Sequence, residues 1–296
     1  WALERILADR AFDAVVQIDA DNVVSANLLR AFNSRLLRGE TVIQAYLDAK
    51  NPDDTWITWM YAMLYWVMSR FVQLAHYQAG LPCQLGGTGY CIDADVLRRY
   101  GWDVTSLTDD LEYTMRMVLN GIHPTWVHDA VVYDEKPLTM KASLRQRLRW
   151  AQGHWDVATR YTWPLVKTAV ARRSLGAFDA VLYCLAPTRT MLWGLTLVFA
   201  WLPFLFPRVV VLVPNPGVWL GFGALAFYTL YPLLLLALER VPARFYARFG
   251  VLFIFTLTWI WPTVRGLARR RHKHWDKTEH TRSMSTEEAE RLRGTT

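Results

Sequence analysis

Apolar and polar positions fall into two regimes along this chain. Up to about residue 162 they come in short blocks. Phe12–Asp19 (FDAVVQID) is an apolar run ending in an acid, the pattern of a buried strand. Thr41–Leu47 alternates as another strand, and Trp126–Tyr133 holds one or two more. Helical stretches lie between them. Ala2–Arg10 reads as a helix end, Ser25 caps a helix through Arg38, and Asp53/Asp54 open an aromatic-rich helix to about Ala79. Asp93–Tyr100 is a short helix, Thr108 caps one through Asn120 that Gly121 ends, and another runs from Leu138 to about Tyr161. Strands alternating with helices predict an α/β domain over 1–162 with a largely parallel sheet.

Past residue 174 the polar positions thin out. Thr190–Phe206 is 17 uncharged residues, Val209–Leu238 is 30 with a turn expected at Pro214-Asn215-Pro216-Gly217, and Phe249–Val264 is 16. A membrane-spanning helix needs about 20 apolar residues. The expectation is therefore transmembrane helices within 175–266, with Val218–Leu238 the clearest. They are preceded by an amphipathic interfacial helix over 139–162 and followed by a basic, polar tail over 267–296.

Charge sharpens this division. Residues 1–144 carry 12 Lys/Arg and 18 Asp/Glu, net −6, whereas 145–296 carry 21 and 8, net +13. The basic residues flank apolar stretches, which points to the cytoplasmic face of an anionic membrane and away from nucleic acid. Positive-inside reasoning puts 145–173 and 240–248 in the cytoplasm and 207–217 outside. The basic cluster at 265–273 also favours the inside, which suits a last apolar stretch that is re-entrant or interfacial. The expected location is the inner cell membrane, with the α/β domain cytoplasmic. Cys83, Cys91 and Cys184 form no CxxC and no even set, so reduced thiols with packing roles are expected. The chain opens on Trp1 in what reads as mid-domain helix, and is expected to be a fragment lacking an N-terminal portion.

Three short words carry the chemistry. Asp19-Ala20-Asp21 follows an apolar strand, and open α/β sheets bind ligands at the carboxyl ends of strands. Asp19 and Asp21 there can hold Mg²⁺ or Mn²⁺ and leave positions for phosphate oxygens; the plainer alternative is a solvated turn. Thr108-Asp109-Asp110 stands at a helix start, where acids commonly cap. One of its acids can instead face a cleft as a general base. Gln146, Arg149 and Trp150 are spaced i, i+3, i+4 and share a helix face. Arg149 can fork onto a diphosphate, Gln146 can hydrogen-bond beside it, and Trp150 offers a platform for a sugar ring. Arg145 and Arg147 are expected to face lipid headgroups. Gly86-Gly87-Thr88-Gly89 lacks the residues of a P-loop and reads as a close-approach loop, with Gly87 and Thr88 lining an acceptor site. The seven histidines form no HExxH.

Together these words resemble the membrane-embedded family 2 glycosyltransferases, the group of the cellulose, chitin, hyaluronan and poly-N-acetylglucosamine synthases. Asp19-Ala20-Asp21 is similar to the family's DxD, Thr108-Asp109-Asp110 to its TED with Asp in the middle, and Gln146–Trp150 to its QxxRW. The stretch before Tyr90 and Trp275–His280 are similar too. The resemblance implies the C-terminal part of a GT-A (Rossmann-like) domain, a UDP-sugar donor (UDP-N-acetylglucosamine or UDP-glucose) and inversion at the anomeric carbon. It implies a growing polysaccharide or a lipid as acceptor. It assigns Asp19 and Asp21 to diphosphate and metal, Asp110 to the base, Gln146 and Arg149 to donor phosphates, and Trp150 to the acceptor sugar. The family's first, uridine-holding strands are expected to belong to the N-terminal portion that this fragment lacks. Single transfer onto a lipid or short acceptor, and a non-catalytic transporter or scaffold, are the competing classes; an accessory membrane subunit stays open.

Overall fold

The computed structural model describes residues 11–187 and 215–272, together with the isolated positions 5, 7, 285, 287, 288 and 291. Thr190–Phe206 and Trp275–His280 lie outside the described residues. Of the expected helix Ala2–Arg10, Arg5 and Leu7 are described, and both are helical.

Five strands form one sheet: β1 (Ala14–Gln17), β2 (Val23–Val24), β3 (Val42–Ala49), β4 (Tyr90–Asp93) and β5 (Thr125–Asp134), in the order β1-β4-β3-β5-β2. The expected largely parallel sheet is corrected to a mixed one. β3 and β5 run parallel, whereas β1–β4, β3–β4 and β2–β5 are antiparallel. An apolar run marks a strand but not its direction, which the connections decide. The 126–133 block is one strand with a break in register. Ala45 faces Val127 and Tyr46 faces Val131, so His128–Ala130 loop out.

β3 is buried along its whole length, although its sequence alternates. Its polar side chains are used inside the fold. Asp48 Oδ1 accepts from Trp66 Nε1 at 2.8 Å and from the Ala49 N–H at 2.7 Å. Gln44 braces the glycine loop described below.

The helices follow the expected order with shifted ends. α1 (Leu28–Leu36) starts after Asn27, not at Ser25. Ser25 is buried instead, its Oγ donating to Asn27 Oδ1 and accepting from the Val131 N–H, so it ties the turn to β5. α2 (Trp56–Met68) begins with a reciprocal Thr55/Thr58 capping box and continues through a π-helical turn at Ser69–Leu74 into α3 (Ala75–Gln78). Asp93 caps α4 (Ala94–Tyr100). α5 (Asp109–Leu119) follows Thr108, whose side chain makes no capping bond. α6 (Met140–Ala171) runs 32 residues, past the expected end at Tyr161 and through Pro164. Ser174 caps α7 (Leu175–Cys184). In α8 (Asn215–Leu238), Asn215–Gly217 make the first helical turn where a loop was expected.

After a 3₁₀ turn at Ala243–Arg248 come α9 (Val251–Leu257) and α10 (Ile260–Ala268). Among the described residues, Val251–Ala268 is long and apolar enough to cross a membrane. The three cysteines are buried free thiols, as expected.

One apolar core crosses from the sheet into the C-terminal helices. Tyr46, Trp126 and Tyr133 of the sheet, Ile57, Trp59, Tyr61 and Trp66 of α2, and Leu236, Phe245, Leu252 and Phe255 belong to the same cluster. α10 lies against α6 at close range. A Cβ on Gly266 would stand 2.6 Å from Ala151 Cβ and 2.9 Å from its carbonyl carbon. Gly266→Val should therefore cost about 1–3 kcal/mol through overpacking. Thermal unfolding in detergent measures it, with Gly250→Ala, whose added Cβ meets nothing within 4 Å, as the neutral control.

Candidate active site

The site is built at the end of the sheet where β1 stops. Asp19 stands two residues beyond β1 in a turn closed by the Asn22 N–H on the Asp19 carbonyl at 3.0 Å. The glycine loop braces this turn. Thr88 Oγ1 accepts from the Asp19 N–H at 3.0 Å and from Asn22 Nδ2 at 2.8 Å. Thr88 is buried and its hydroxyl is engaged with the turn, so it acts as a strut. From the other side, Lys50 Nζ donates to the Asp21 carbonyl at 2.9 Å and pairs with Glu135 at 3.3 Å, both side chains buried.

The loop is held from below by Gln44. Its Oε1 accepts the Gly86 N–H at 2.8 Å, and its Nε2 donates to the carbonyls of Thr88 at 2.9 Å and Gly89 at 3.1 Å. The glycines are required. Gly89 has φ +66°, and a Cβ there would lie 2.6 Å from Val132 Cγ2; Gly87 has φ +83°. A Cβ on Gly87 would come 3.6 Å from Asp110 Oδ2, which places the loop against the second acidic word.

Asp110 both caps and faces the loop. Its Oδ1 accepts the Leu111 N–H at 2.8 Å, while Oδ2 lies on the Gly87 side. Burial and then the neighbouring Asp109 push its carboxyl up to about 7, against the pull of Arg149. Burial also raises Asp109. Tyr65 and Tyr90 feel the same charges. Burial first, then Asp134 and Asp110, raise Tyr65; burial and then Asp109, Asp110 and Asp19 raise Tyr90.

The loop before these acids is fixed by Glu112, a residue sequence reasoning missed. Its Oε2 accepts the N–H groups of Thr105 at 2.8 Å and Ser106 at 2.7 Å. Its Oε1 accepts from Arg160 Nη1 at 2.6 Å and Tyr161 OH at 2.9 Å on α6. Burial opposes ionisation, yet these donors outweigh it and hold Glu112 at about 2. Gly153 lets α6 come in beside it, because a Cβ there would stand 2.6 Å from the Thr108 nitrogen.

α6 carries the third word. Arg149 is partly buried, and its charge is coupled to Asp110, Asp109 and Asp19 in that order. Asp19, Asp109, Asp110 and Arg149 therefore share one electrostatic neighbourhood. Gln146 lies one turn back, its Oε1 buried without a hydrogen-bond partner among the described residues. Trp150 is half-buried in an aromatic group. Trp259 stacks on it at 6.3 Å and 19°, and Tyr61 meets it edge-on at 6.3 Å. Arg147, expected to face lipid, is completely buried; it lies on the same helix face as Trp150 and is clasped by the C-terminal segment.

The family profile of glycosyl transferase family group 2 matches residues 14–259. The chain belongs to that family. This glycosyltransferase is similar to an N-acetylglucosaminyltransferase of Rhizobium meliloti (strain 1021), 26% identical over 150 residues, 47% of this chain and 35% of the relative. It is also similar to an N-acetylglucosaminyltransferase of Bradyrhizobium diazoefficiens, 23% identical over 150 residues, 47% of this chain and 31% of the relative. A probable glycosyltransferase, YdaM, of Bacillus subtilis (strain 168) is 33% identical over 76 residues, 25% of this chain and 18% of the relative. The chain spans about a third or less of the length of these curated relatives.

Asp19 and Asp21 are the side chains of this glycosyltransferase that could hold a divalent cation. Asp19 and Asp21 are separated by one residue on a braced turn, and no set of three ligating side chains gathers among the described residues. Two hard oxygen donors with open positions suit Mg²⁺ or Mn²⁺ completed by phosphate and water.

Glu112→Ala should cost about 1–3 kcal/mol, because it leaves the Thr105 and Ser106 N–H groups without their acceptor, while Arg160 keeps Asp156 at 2.7 Å. The Glu112 carboxyl lies below its ordinary value, so its stabilisation is complete above about pH 4.5 and fades as pH falls towards 2. Glu112→Gln should flatten that part of the stability-against-pH curve, measured by denaturant unfolding.

Proposed function

We propose that this glycosyltransferase is an inverting, metal-assisted enzyme that adds a sugar from a UDP-sugar to a growing saccharide at a membrane surface, with UDP-N-acetylglucosamine the first donor to test. The observation that carries the reading is the convergence of Asp19, Asp109, Asp110 and Arg149 at one end of the sheet, with Asp110 raised to about 7 and one oxygen towards the glycine loop. The donor sugar is suggested by relatives named N-acetylglucosaminyltransferase.

In this mechanism Asp110 takes the proton from an acceptor hydroxyl. The hydroxyl oxygen bonds to the anomeric carbon from the face opposite the diphosphate, and the bond to the diphosphate oxygen breaks, releasing UDP. Asp19 and Asp21 would hold a divalent cation, which when bound offsets charge on the departing diphosphate. Arg149 orients phosphate oxygens, and the buried Gln146 Oε1 accepts a hydrogen bond from the donor. Trp150 contacts the acceptor ring, and Gly87 leaves room for it beside Asp110. Asp110 is a better base than an ordinary carboxylate, because its conjugate acid lies near the working pH.

Membrane association is supported by Val251–Ala268, which is long and apolar enough to span. It is also supported by outward apolar side chains on α7 (Leu175, Phe178, Leu182) and α8 (Phe227, Leu230, Leu234). With the basic residues of α6 nearby, these suit the cytoplasmic face of the inner membrane. Processive elongation, as against a single transfer, is read from the QxxRW word.

The test is the full-length protein in membranes with Mg²⁺ or Mn²⁺, assayed for UDP release and product length over a panel of UDP-sugars. Asp110→Asn should abolish transfer and retain donor binding, and normal turnover in that variant would remove Asp110 from the base role. The rate should fall as pH drops through about 7, because only ionised Asp110 accepts the proton. Asp109→Asn should move that limb to lower pH by removing a like charge. An unmoved limb would show that Asp109 does not set it.

A further inference from the structure

Arg147 is a charge in an unusual place. It is completely buried, and a guanidinium stays protonated when buried. Such a charge is costly unless it is well held. Among the described residues it has no carboxylate within ion-pair distance. Its bonds go elsewhere: Nη1 donates to Thr258 Oγ1 at 2.8 Å, Nη2 to Met140 Sδ at 3.3 Å and Nε to the Ser143 carbonyl at 3.4 Å. Two ring faces complete the cage, Phe255 at 4.7 Å and Trp259 at 5.0 Å from the guanidinium carbon.

Three of these five partners, Phe255, Thr258 and Trp259, lie where α9 ends and α10 begins. That segment also touches the reaction side. Trp259, under the Arg147 guanidinium, stacks on Trp150 at 6.3 Å and 19°. Tyr61 meets both Trp150 and Phe255 edge-on, and bonds Ser143 through its hydroxyl at 2.9 Å. Arg147 and Trp150 are one turn apart on α6, so a single helix face carries both the clasp and the ring it steadies.

We infer that Arg147 is a positioning residue: it clamps Phe255–Trp259 against α6 and so fixes, through Trp259, the ring of Trp150 that grips the acceptor sugar. The inference rests on the acceptor role proposed for Trp150. A buried cation makes an effective clamp here. It gains from ring faces and the Thr258 hydroxyl only when the α9–α10 junction is in place, so the helix pair is held in one arrangement. An apolar side chain of the same size would fill the space without specifying the junction. The consequence is that the C-terminal helices set acceptor affinity, while the donor side stays with Asp19 and Arg149.

The test uses the full-length protein in membranes or detergent, with Arg147→Met, which keeps the volume, Thr258→Val, which removes one hydroxyl, and Arg147→Lys. Chitotriose serves as the acceptor probe and UDP-N-acetylglucosamine as donor. The Arg147→Met variant should raise the KM for chitotriose about tenfold, with the donor KM unchanged. Thr258→Val should shift it in the same direction by less, and Arg147→Lys should restore part of the loss, because the charge over the rings is kept. Hydrogen exchange in peptides covering 255–262 should speed up about tenfold in Arg147→Met while β3 stays protected. Unchanged exchange would overturn the clamp. Faster exchange with an unchanged chitotriose KM, or a KM change shared equally with the donor, would reduce Arg147 to a structural latch and overturn the positioning role. A wild-type protein inert with every UDP-sugar would instead refute the proposed function, and the exchange measurement would still decide the clamp. Should Arg147→Met fail to fold, Thr258→Val carries both readouts.

Discussion

Three carboxylates, Asp19, Asp109 and Asp110, are held together at one end of the sheet with Arg149 among them. Asp109 and Asp110 are neighbours in sequence, whereas Asp19 and Arg149 reach them through the fold; like charges repel, and the repulsion grows as water is excluded. The strain is visible in Asp110, whose carboxyl is lifted to about 7 by burial and by Asp109. Three parts of the chain fix these charges: the Thr88 strut holds Asp19, the helix that Glu112 ties down holds Asp109 and Asp110, and α6 carries Arg149. A loss of any one fixture changes the field felt by the others. Chemistry and architecture are therefore the same problem here, since the fold must keep acids close that would relax apart in water.

Close approach solves the geometric half of that problem. At Gly86, Gly89 and Gly153 an added Cβ would fall 2.5–2.6 Å from a neighbouring atom, and the neighbours belong to β3, β5 and the loop before α5. These glycines seat the 86–89 loop on the sheet and α6 on the acidic word. Gln44 makes the seat rigid by satisfying one N–H and two carbonyls of the loop from inside a buried strand. A polar side chain fully removed from water is acceptable there only because both of its ends are bonded.

The three words and most helices were legible in the sequence because short motifs and helical periodicity are local signals. The antiparallel pairings were not, because strand direction depends on connections that leave no mark on an apolar run. Ser25 was misread for a similar reason. Its composition suits a cap, but the Val131 N–H competes for its oxygen and the helix starts two residues later. Gln44, Lys50 and Glu112 each have a partner 40 or more residues away, Gly89, Glu135 and Arg160 respectively, and no spacing rule reaches that far. For Lys50 and Glu135 the only trace was a charged residue at the end of each strand. Arg147 was assigned to lipid because it follows the pattern of a basic juxtamembrane helix; its cage lies more than 100 residues downstream at Thr258.

That last case bears on how the two halves of the chain relate. The change of composition after residue 174 suggests a soluble part joined to a membrane part, yet the apolar core does not divide there. Tyr46 and Trp126 of the sheet share a cluster with Leu236, Phe245 and Phe255. An isolated sheet half would expose those faces and leave Arg147 without Thr258 and its rings. Apolar burial on this scale is the main favourable term in folding, so the two halves stabilise each other more strongly than a hinge between them would permit. The outward faces of α8, α9 and α10 are thus fixed relative to Asp110 and Arg149. The same packed core orients both those faces and the acidic site.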